Sequence, residues 1–202
     1  MCGFTCIVKR HSTFEKSSNV IEEHLLRHRG PDNTNEIIHK NIAVRHWRLS
    51  IVELSENSNQ PIIDKDNIFV YNGELYDYKE LAKKNYIQEM GDTKVLFSIL
   101  TKSDNFSDIQ EASGFYAFLL INKNRNKIFG ARDRFGKKPL FYFFDSDYAI
   151  FSSEEKGIIP FLKSNEIDLK TVGEYILYKN KFFGNTFFSN IKEIAPGSTL
   201  NF

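Results

Sequence analysis

The chain has 202 residues, a formal net charge of +1 and 41% hydrophobic residues. This is the balance of a globular protein of one domain or two small ones, long enough to bury a sizeable core. Near-neutral charge leaves no electrostatic footprint for nucleic acid or an anionic membrane, and no run of about 18 apolar residues predicts a membrane span.

The first residues, "MCGFTCIVKR", lack the pattern of a secretory signal, and the chain carries two cysteines. Together these point to a reducing, cytoplasmic setting rather than a disulfide framework. Cys2 to Val8 alternates and is β-prone, so a strand is predicted with Cys2, Phe4, Cys6 and Val8 on one face. Phe14 to Arg29 carries Val20, Ile21, His24, Leu25 and Leu26 at helical spacing and stops at Gly30-Pro31, which predicts a helix. Short strands follow at 36–39 and 42–46, and residues 53–61 form a polar loop ending in Pro61. Ile68 to Tyr71 is a compact strand running into Asn72-Gly73. Helices are predicted from Tyr76 to Lys84 and from Thr93 to Leu100. The apolar run Phe115 to Ile121 is a strand buried on both faces, and strands at 128–131, 140–144 and 149–151 complete the series around an "NKNRNK" turn. Ser152-Ser153-Glu154 looks like a helix entry, and Asp168 caps a helix through Tyr178. Strands and helices in separate clusters predict α+β layers rather than a parallel doubly wound sheet.

Four positions carry chemistry that position and residue type alone leave open. Cys2 is either a small core hydrophobe or, once Met1 is removed, a nucleophile whose own α-amine serves as base. A free α-amine has a reference pKa of roughly 7.7–8.0, so it is partly neutral near pH 7. "YNGELY" is either a hairpin turn or a strand-to-helix turn. In the second case the Asn72 side chain and the Gly73 N–H aim two donors at one point, as in an oxyanion hole. Arg48, between apolar residues, either snorkels or grips a carboxylate bidentately. Asp92 in "GDTKV" is either a helix N-cap or the partner of a substrate ammonium. A shared metal or disulfide role for Cys2 and Cys6 is disfavoured, because i and i+4 on a strand lie about 13 Å apart. Cys6 reads as core. "HRGPD" and "ARDRFGKKPLFY" are Gly/Pro-punctuated loops that composition does not interpret further.

Taken together and in this order, Met1-Cys2-Gly3, "RHRGPD", "RLSIV", "YNGELY", "GDT", "ARDRFGKKPLFY" and "FSSEEKGI" resemble the glutaminase domain of glutamine-dependent asparagine synthetases. These are class II glutamine amidotransferases, within the N-terminal nucleophile hydrolases. The resemblance spans nearly the whole chain, as one domain over residues 2–202. It implies a four-layer αββα sandwich of two antiparallel sheets flanked by helices. It also implies hydrolysis of L-glutamine to glutamate and ammonia through a thioester on Cys2. Carried over by position, Asn72 and Gly73 stabilise the oxyanion and Arg48 holds the α-carboxylate. Glu74 and Asp92 lie around the α-amine, and the backbone of Leu49, Ser50, Ile51 and Val52 lines the site.

The sequence departs from the family pattern at Gly91, usually Ser, and at Arg134, usually Pro. The segment between Glu74 and Asp92 is short. The pyrophosphate-binding "SGGxDS" loop of the ATP-using synthetase domain does not occur in these residues. The expectation is therefore an excised domain or a glutaminase subunit. No cofactor or metal is expected in this domain, since ATP and Mg belong to the synthetase half. The expected partners are L-glutamine and a synthetase domain or subunit, without nucleic acid or membrane, and a homodimer is compatible with the sequence. Two alternatives stay open. One is a degenerate glutaminase fold kept as an interaction module. The other is a glutaminase serving a different amidation, of a sugar or antibiotic precursor.

Overall fold

A computed structural model of the chain describes residues 1–15, 19–51, 53–88, 91–102, 109, 112–125, 127–182 and 184–202. Two antiparallel sheets stack face to face. The strands of the first are β1 (Gly3–Lys9), β2 (Asn33–His39), β3 (Ile42–Arg48), β8 (Phe141–Phe144), β9 (Tyr148–Ser152) and β10 (Lys192–Glu193). Its spatial order is β10-β8-β9-β1-β3-β2. The second sheet contains β4 (Ile62–Ile63), β5 (Asn67–Leu75), β6 (Gly114–Asn122), β7 (Lys127–Arg132) and β11 (Thr199–Asn201), in the order β11-β7-β6-β5-β4. The described helices are α1 (Tyr78–Lys84), α2 (Asp92–Lys102) and α3 (Leu169–Tyr178).

Strand alternation decides which side chains meet between the sheets. Phe4, Cys6 and Val8 of β1 pack there against Ile68 and Val70 of β5 and Ala117, Leu119 and Ile121 of β6. The opposite face of β5 sends Phe69 and Tyr71 to α1 and α2, where Leu81, Val95, Leu96 and Ile99 cover them. The outer face of the first sheet, including Ile7, Trp47 and Ile150, is covered by Ile21, Leu25, Leu26 and Ile158. The α+β sandwich expected from the sequence is the observed architecture. Among the described residues, the cover over the first sheet is made of turns and two short 3-10 segments, Glu155–Gly157 and Ile159–Phe161.

Three local expectations are corrected. The predicted helix from Phe14 to Arg29 is a turn segment among the described residues, although Ile21, Leu25 and Leu26 are buried, as the spacing implied, and Phe14 and Val20 partly so. Competing partners take its backbone groups. The Glu36 carboxylate accepts the Ile21 N–H at 2.8 Å, and the Trp47 indole donates to the Glu23 carbonyl at 2.6 Å. Asn72-Gly73, predicted as a turn, lies inside β5, paired with Ala117 and Tyr116 of β6. The strand continues to Leu75 before α1 begins. The helix entry expected at Ser152–Glu154 is only the 3-10 segment noted above, whereas Asp168 does cap α3, accepting the Thr171 N–H at 3.1 Å. No described helix is long and apolar enough to cross a membrane.

Candidate active site

Cys2 sits one residue before β1, whose Gly3 faces Trp47 of β3. Chain ends usually fray, but this one is tied down. The Arg29 Nε–H donates to the Cys2 carbonyl at 2.9 Å, and the Phe4 N–H donates to Ser153 Oγ at 3.1 Å. The Cys2 thiol lies against the end of β3. Its Sγ accepts the Leu49 N–H at 3.4 Å and donates to the Leu49 carbonyl at 3.5 Å. Burial pushes the thiol pKa up, opposed by the Leu49 N–H and by the positive charges of the chain terminus, Arg48 and Lys138. A thiol so placed needs a base before it can attack.

The thiol opens onto a cleft at the ends of β1 and β3 of the first sheet and beside β5 of the second. Cys2, Arg48, Leu49, Ile51, Asn72, Gly73, Glu74 and Asp92 all line it. The same period of two that buries Ile68 and Val70 between the sheets brings the Asn72 side chain toward the sheet that carries Cys2. Asn72 is 1% exposed, yet both its Nδ2 and its Oδ1 lack a hydrogen-bond partner. Buried polar atoms are rarely left so, and this amide lines the same cleft as the Cys2 thiol. At Gly73 any side chain is excluded, because a Cβ would lie 2.5 Å from the Tyr71 ring and 2.6 Å from the Phe115 carbonyl.

Arg48, 5% exposed, closes β3. Its Nη1 donates to the Ser55 carbonyl at 2.8 Å and to Asn59 Oδ1 at 2.7 Å, and its Nη2 donates to the Glu53 carbonyl. The guanidinium thus organises the loop after β3 while lining the cleft. Asp92 is the first residue of α2. Its Oδ1 accepts the Thr93 N–H at 2.8 Å, and its Oδ2 accepts the Tyr71 hydroxyl at 3.0 Å and the Leu75 N–H at 3.2 Å. The carboxylate therefore caps its own helix and also pins α2 to β5. Gly91 accepts the Val95 N–H through its carbonyl and has φ +84°. That conformation favours glycine over a residue with a Cβ.

Ser50 lies beside the cleft without lining it, and its N–H donates to Asp32 Oδ2 at 2.8 Å. Val52 lies outside the described residues. The cleft also takes in Ser58, Gln60, Thr93 and Lys138, which the sequence reading did not single out. Ser58 and Gln60 fell in a stretch legible only as a polar loop, and Lys138 in an uninterpreted Gly/Pro loop. Gln60 clamps the strand beneath Asn72: its Oε1 accepts the Tyr71 N–H at 2.6 Å, and its Nε2 donates to the Tyr71 carbonyl at 3.2 Å. The fully buried His46 donates from Nε2 to the same carbonyl at 3.1 Å. Burial lowers the His46 pKa to about 3, with the Tyr71 carbonyl opposing and the Arg48 charge adding to the drop. His46 is thus a neutral fixture. None of the five histidines lines the cleft.

Two stacked antiparallel sheets, with a near-terminal cysteine at the end of the interior strand β1, are the features that the comparisons with known proteins bear on. Solved structures agree on the fold. Glutamine phosphoribosylpyrophosphate amidotransferase from Bacillus subtilis superposes with a TM-score of 0.63 at 20% identity, over 78% of this chain and 43% of that one. A structure titled as the allosteric regulatory enzyme of purine biosynthesis gives 0.62 at 17% identity, over 99% and 46%. The family model described as a glutamine amidotransferase domain matches residues 1–202, and the chain belongs to that family, the glutaminase half of glutamine-dependent amidotransferases. Asparagine synthetase [glutamine-hydrolyzing] 1 of Bacillus subtilis is 31% identical over 214 residues, 98% of this chain and 33% of that protein. Amidase chyE of Penicillium rubens is 32% identical over 218 residues, 99% of this chain and 32% of that protein. The chain spans about a third of the length of these curated relatives.

Proposed function

We infer that this domain hydrolyses L-glutamine through a thioester on Cys2, with Met1 removed so that the Cys2 α-amine is free. The amine takes the thiol proton as Sγ attacks the amide carbon. The developing oxyanion is met by the Asn72 Nδ2–H and the Gly73 N–H, and removing one such donor costs about 10²–10³ in rate. As the tetrahedral species collapses, the C–N bond breaks and the leaving amide nitrogen takes the proton from the α-ammonium, departing as ammonia. Water then attacks the thioester carbon and gives a proton to the same amine; the C–S bond breaks, Sγ takes that proton back as the thiol, and glutamate is released. Arg48 holds the substrate α-carboxylate, while Asp92 and Glu74 face the α-ammonium. The step calls on no cofactor.

The observation that carries this reading is the orphaned, buried amide of Asn72 in the cleft of a Cys2 thiol whose hydrogen bonds, among the described residues, are to the Leu49 backbone. The ammonia is proposed to serve an ATP- and Mg-dependent, asparagine-synthetase-like amidation by a partner domain or subunit. Relatives named as amidases match at the same level of identity, so amidation of another carboxylate is the second reading. A binding module without turnover is disfavoured by the intact set Cys2, Arg48, Asn72, Gly73 and Asp92. The test is ammonia release from glutamine by the purified chain and by Cys2→Ala. Loss of release with retained circular dichroism supports the reading; ammonia release by a pure Cys2→Ala sample overturns it.

A further inference from the structure

Two residues that line the cleft carry buried polar atoms with no partner. One is Asn72, at the end where the amide reacts. The other is Ser58, whose Oγ is buried and unbonded although the residue is only 4% exposed. An unpaired buried hydroxyl costs stability, so its presence at a cleft wall points to a ligand.

Its surroundings say which part of the ligand. Ser58 ends a 3-10 turn, Glu56–Ser58, on the loop that Arg48 fastens through Glu53, Ser55 and Asn59. On its other side it approaches the entry to α2, because a Cβ built on Gly91 would lie 3.7 Å from Ser58 Oγ. The hydroxyl therefore sits at the amino-acid end of the cleft, on the loop that the Arg48 guanidinium organises. Arg48 attracts an anion there. The Asp92 oxygens, on the ammonium side, already accept from Tyr71, Leu75 and Thr93. The cleft is lined by Glu53, Glu74 and Asp92 as well as by Arg48 and Lys138, and a hydroxyl left as a free donor on the loop that the guanidinium fastens is matched by a carboxylate oxygen.

We propose that Ser58 is a substrate-binding residue that donates its hydroxyl hydrogen bond to the glutamine α-carboxylate held by Arg48. The proposal rests on the glutaminase reading and adds a second donor to the carboxylate clamp. The same hydroxyl is a stability liability in the empty site and becomes satisfied on binding.

Equilibrium binding separates this proposal from the reading beneath it. The probes are L-glutamine, 4-carbamoylbutanoate, which lacks the ammonium, and 4-aminobutanamide, which lacks the carboxylate. They are titrated calorimetrically into Cys2→Ala protein with Met1 removed, with and without Ser58→Ala. Loss of a hydrogen bond to a charged group predicts about ten-fold weaker binding of glutamine and of 4-carbamoylbutanoate. Binding of 4-aminobutanamide should be unchanged, and the melting temperature of Ser58→Ala should hold or rise. Four outcomes overturn the proposal: unchanged glutamine affinity, an equal loss on all three probes, a loss confined to the ammonium-bearing probes, or a fall in melting temperature that marks a structural hydroxyl. If glutamine does not bind the Ser58-intact protein at all, the glutaminase reading falls and this one with it.

Discussion

Replacing Asn72 with alanine should uncouple activity from stability. In the folded protein the Asn72 amide is 1% exposed and neither of its polar atoms has a partner. Leaving a buried donor or acceptor unsatisfied costs about 1–3 kcal/mol, and that cost is relieved by truncation. Against it stands the small void that the amide leaves. The backbone of β5 is unaffected, because Asn72 remains paired with Ala117 and the Tyr71 backbone remains clamped by Gln60. The net is a stability that holds or improves by about 1 kcal/mol, a rise in melting temperature of about 2–4 °C for a chain of this size. The turnover number should fall by about 10²–10³, or about 2.7–4 kcal/mol of lost transition-state stabilisation, with the glutamine KM little changed. Thermal melts followed by circular dichroism and a coupled glutamate assay measure both quantities on one preparation. A large drop in melting temperature with turnover intact would show that Asn72 is a structural residue and refute its role as an oxyanion donor.

Further outcomes follow from neighbouring contacts. Arg48→Ala should raise the glutamine KM tens-fold or more by removing a charge-assisted contact. It should also lower the melting temperature, since Glu53, Ser55 and Asn59 lose their common donor; a KM effect of equal size on 4-aminobutanamide would make the residue structural. His46 is held neutral, with its folded pKa depressed from the ordinary value near 6.5 to about 3. The unfolded chain therefore binds a proton that the folded chain refuses, and stability falls as pH drops from about 6.5 toward 3. The slope due to this one proton is about 1.4 kcal/mol per pH unit. His46→Gln, which keeps a donor for the Tyr71 carbonyl, should flatten urea-determined stability between pH 6 and 4 by that slope; an unaltered profile contradicts the assignment. Gly91→Ser places a Cβ on a φ of +84°, 3.2 Å from the Glu53 Cβ. It should cost about 1–2 kcal/mol, read as a lowered melting temperature, and a stabilised variant would contradict the strain.

The alternation of Cys2 to Val8 and the apolar run Phe115 to Ile121 were legible because strand period and burial act on each residue locally. The helix predicted over Phe14 to Arg29 failed for the opposite reason. Its apolar spacing was real, and Ile21, Leu25 and Leu26 are buried, but Glu36 and Trp47, distant in sequence, take the backbone groups a helix would use. Asn72-Gly73 carries the commonest hairpin signal and yet continues a strand, because β6 pairs with it along its length. For Asp92, the alternatives were a helix cap and the partner of a substrate ammonium; the carboxylate accepts the N–H of the next residue in α2 and also lines the cleft, so the cap does not exclude the other role. Ser58 and Gln60 stayed silent because neither residue type nor spacing marks a loop residue whose significance lies in an unfilled hydrogen bond or in a clamp on a neighbouring strand.

The central claim is that Cys2 acts with its own free α-amine. In the present structure Met1 is attached and lines the same cleft as the thiol, so the Cys2 nitrogen is a peptide N–H that cannot accept a proton near neutral pH. The most direct measurement is ammonia release from L-glutamine by one N-terminally extended preparation, before and after protease treatment that leaves Cys2 as the first residue, with mass spectrometry of the terminus at each stage. The account predicts almost no activity before cleavage, full activity after it, and identical folding by circular dichroism throughout. Full activity with Met1 or a tag still attached would contradict the mechanism.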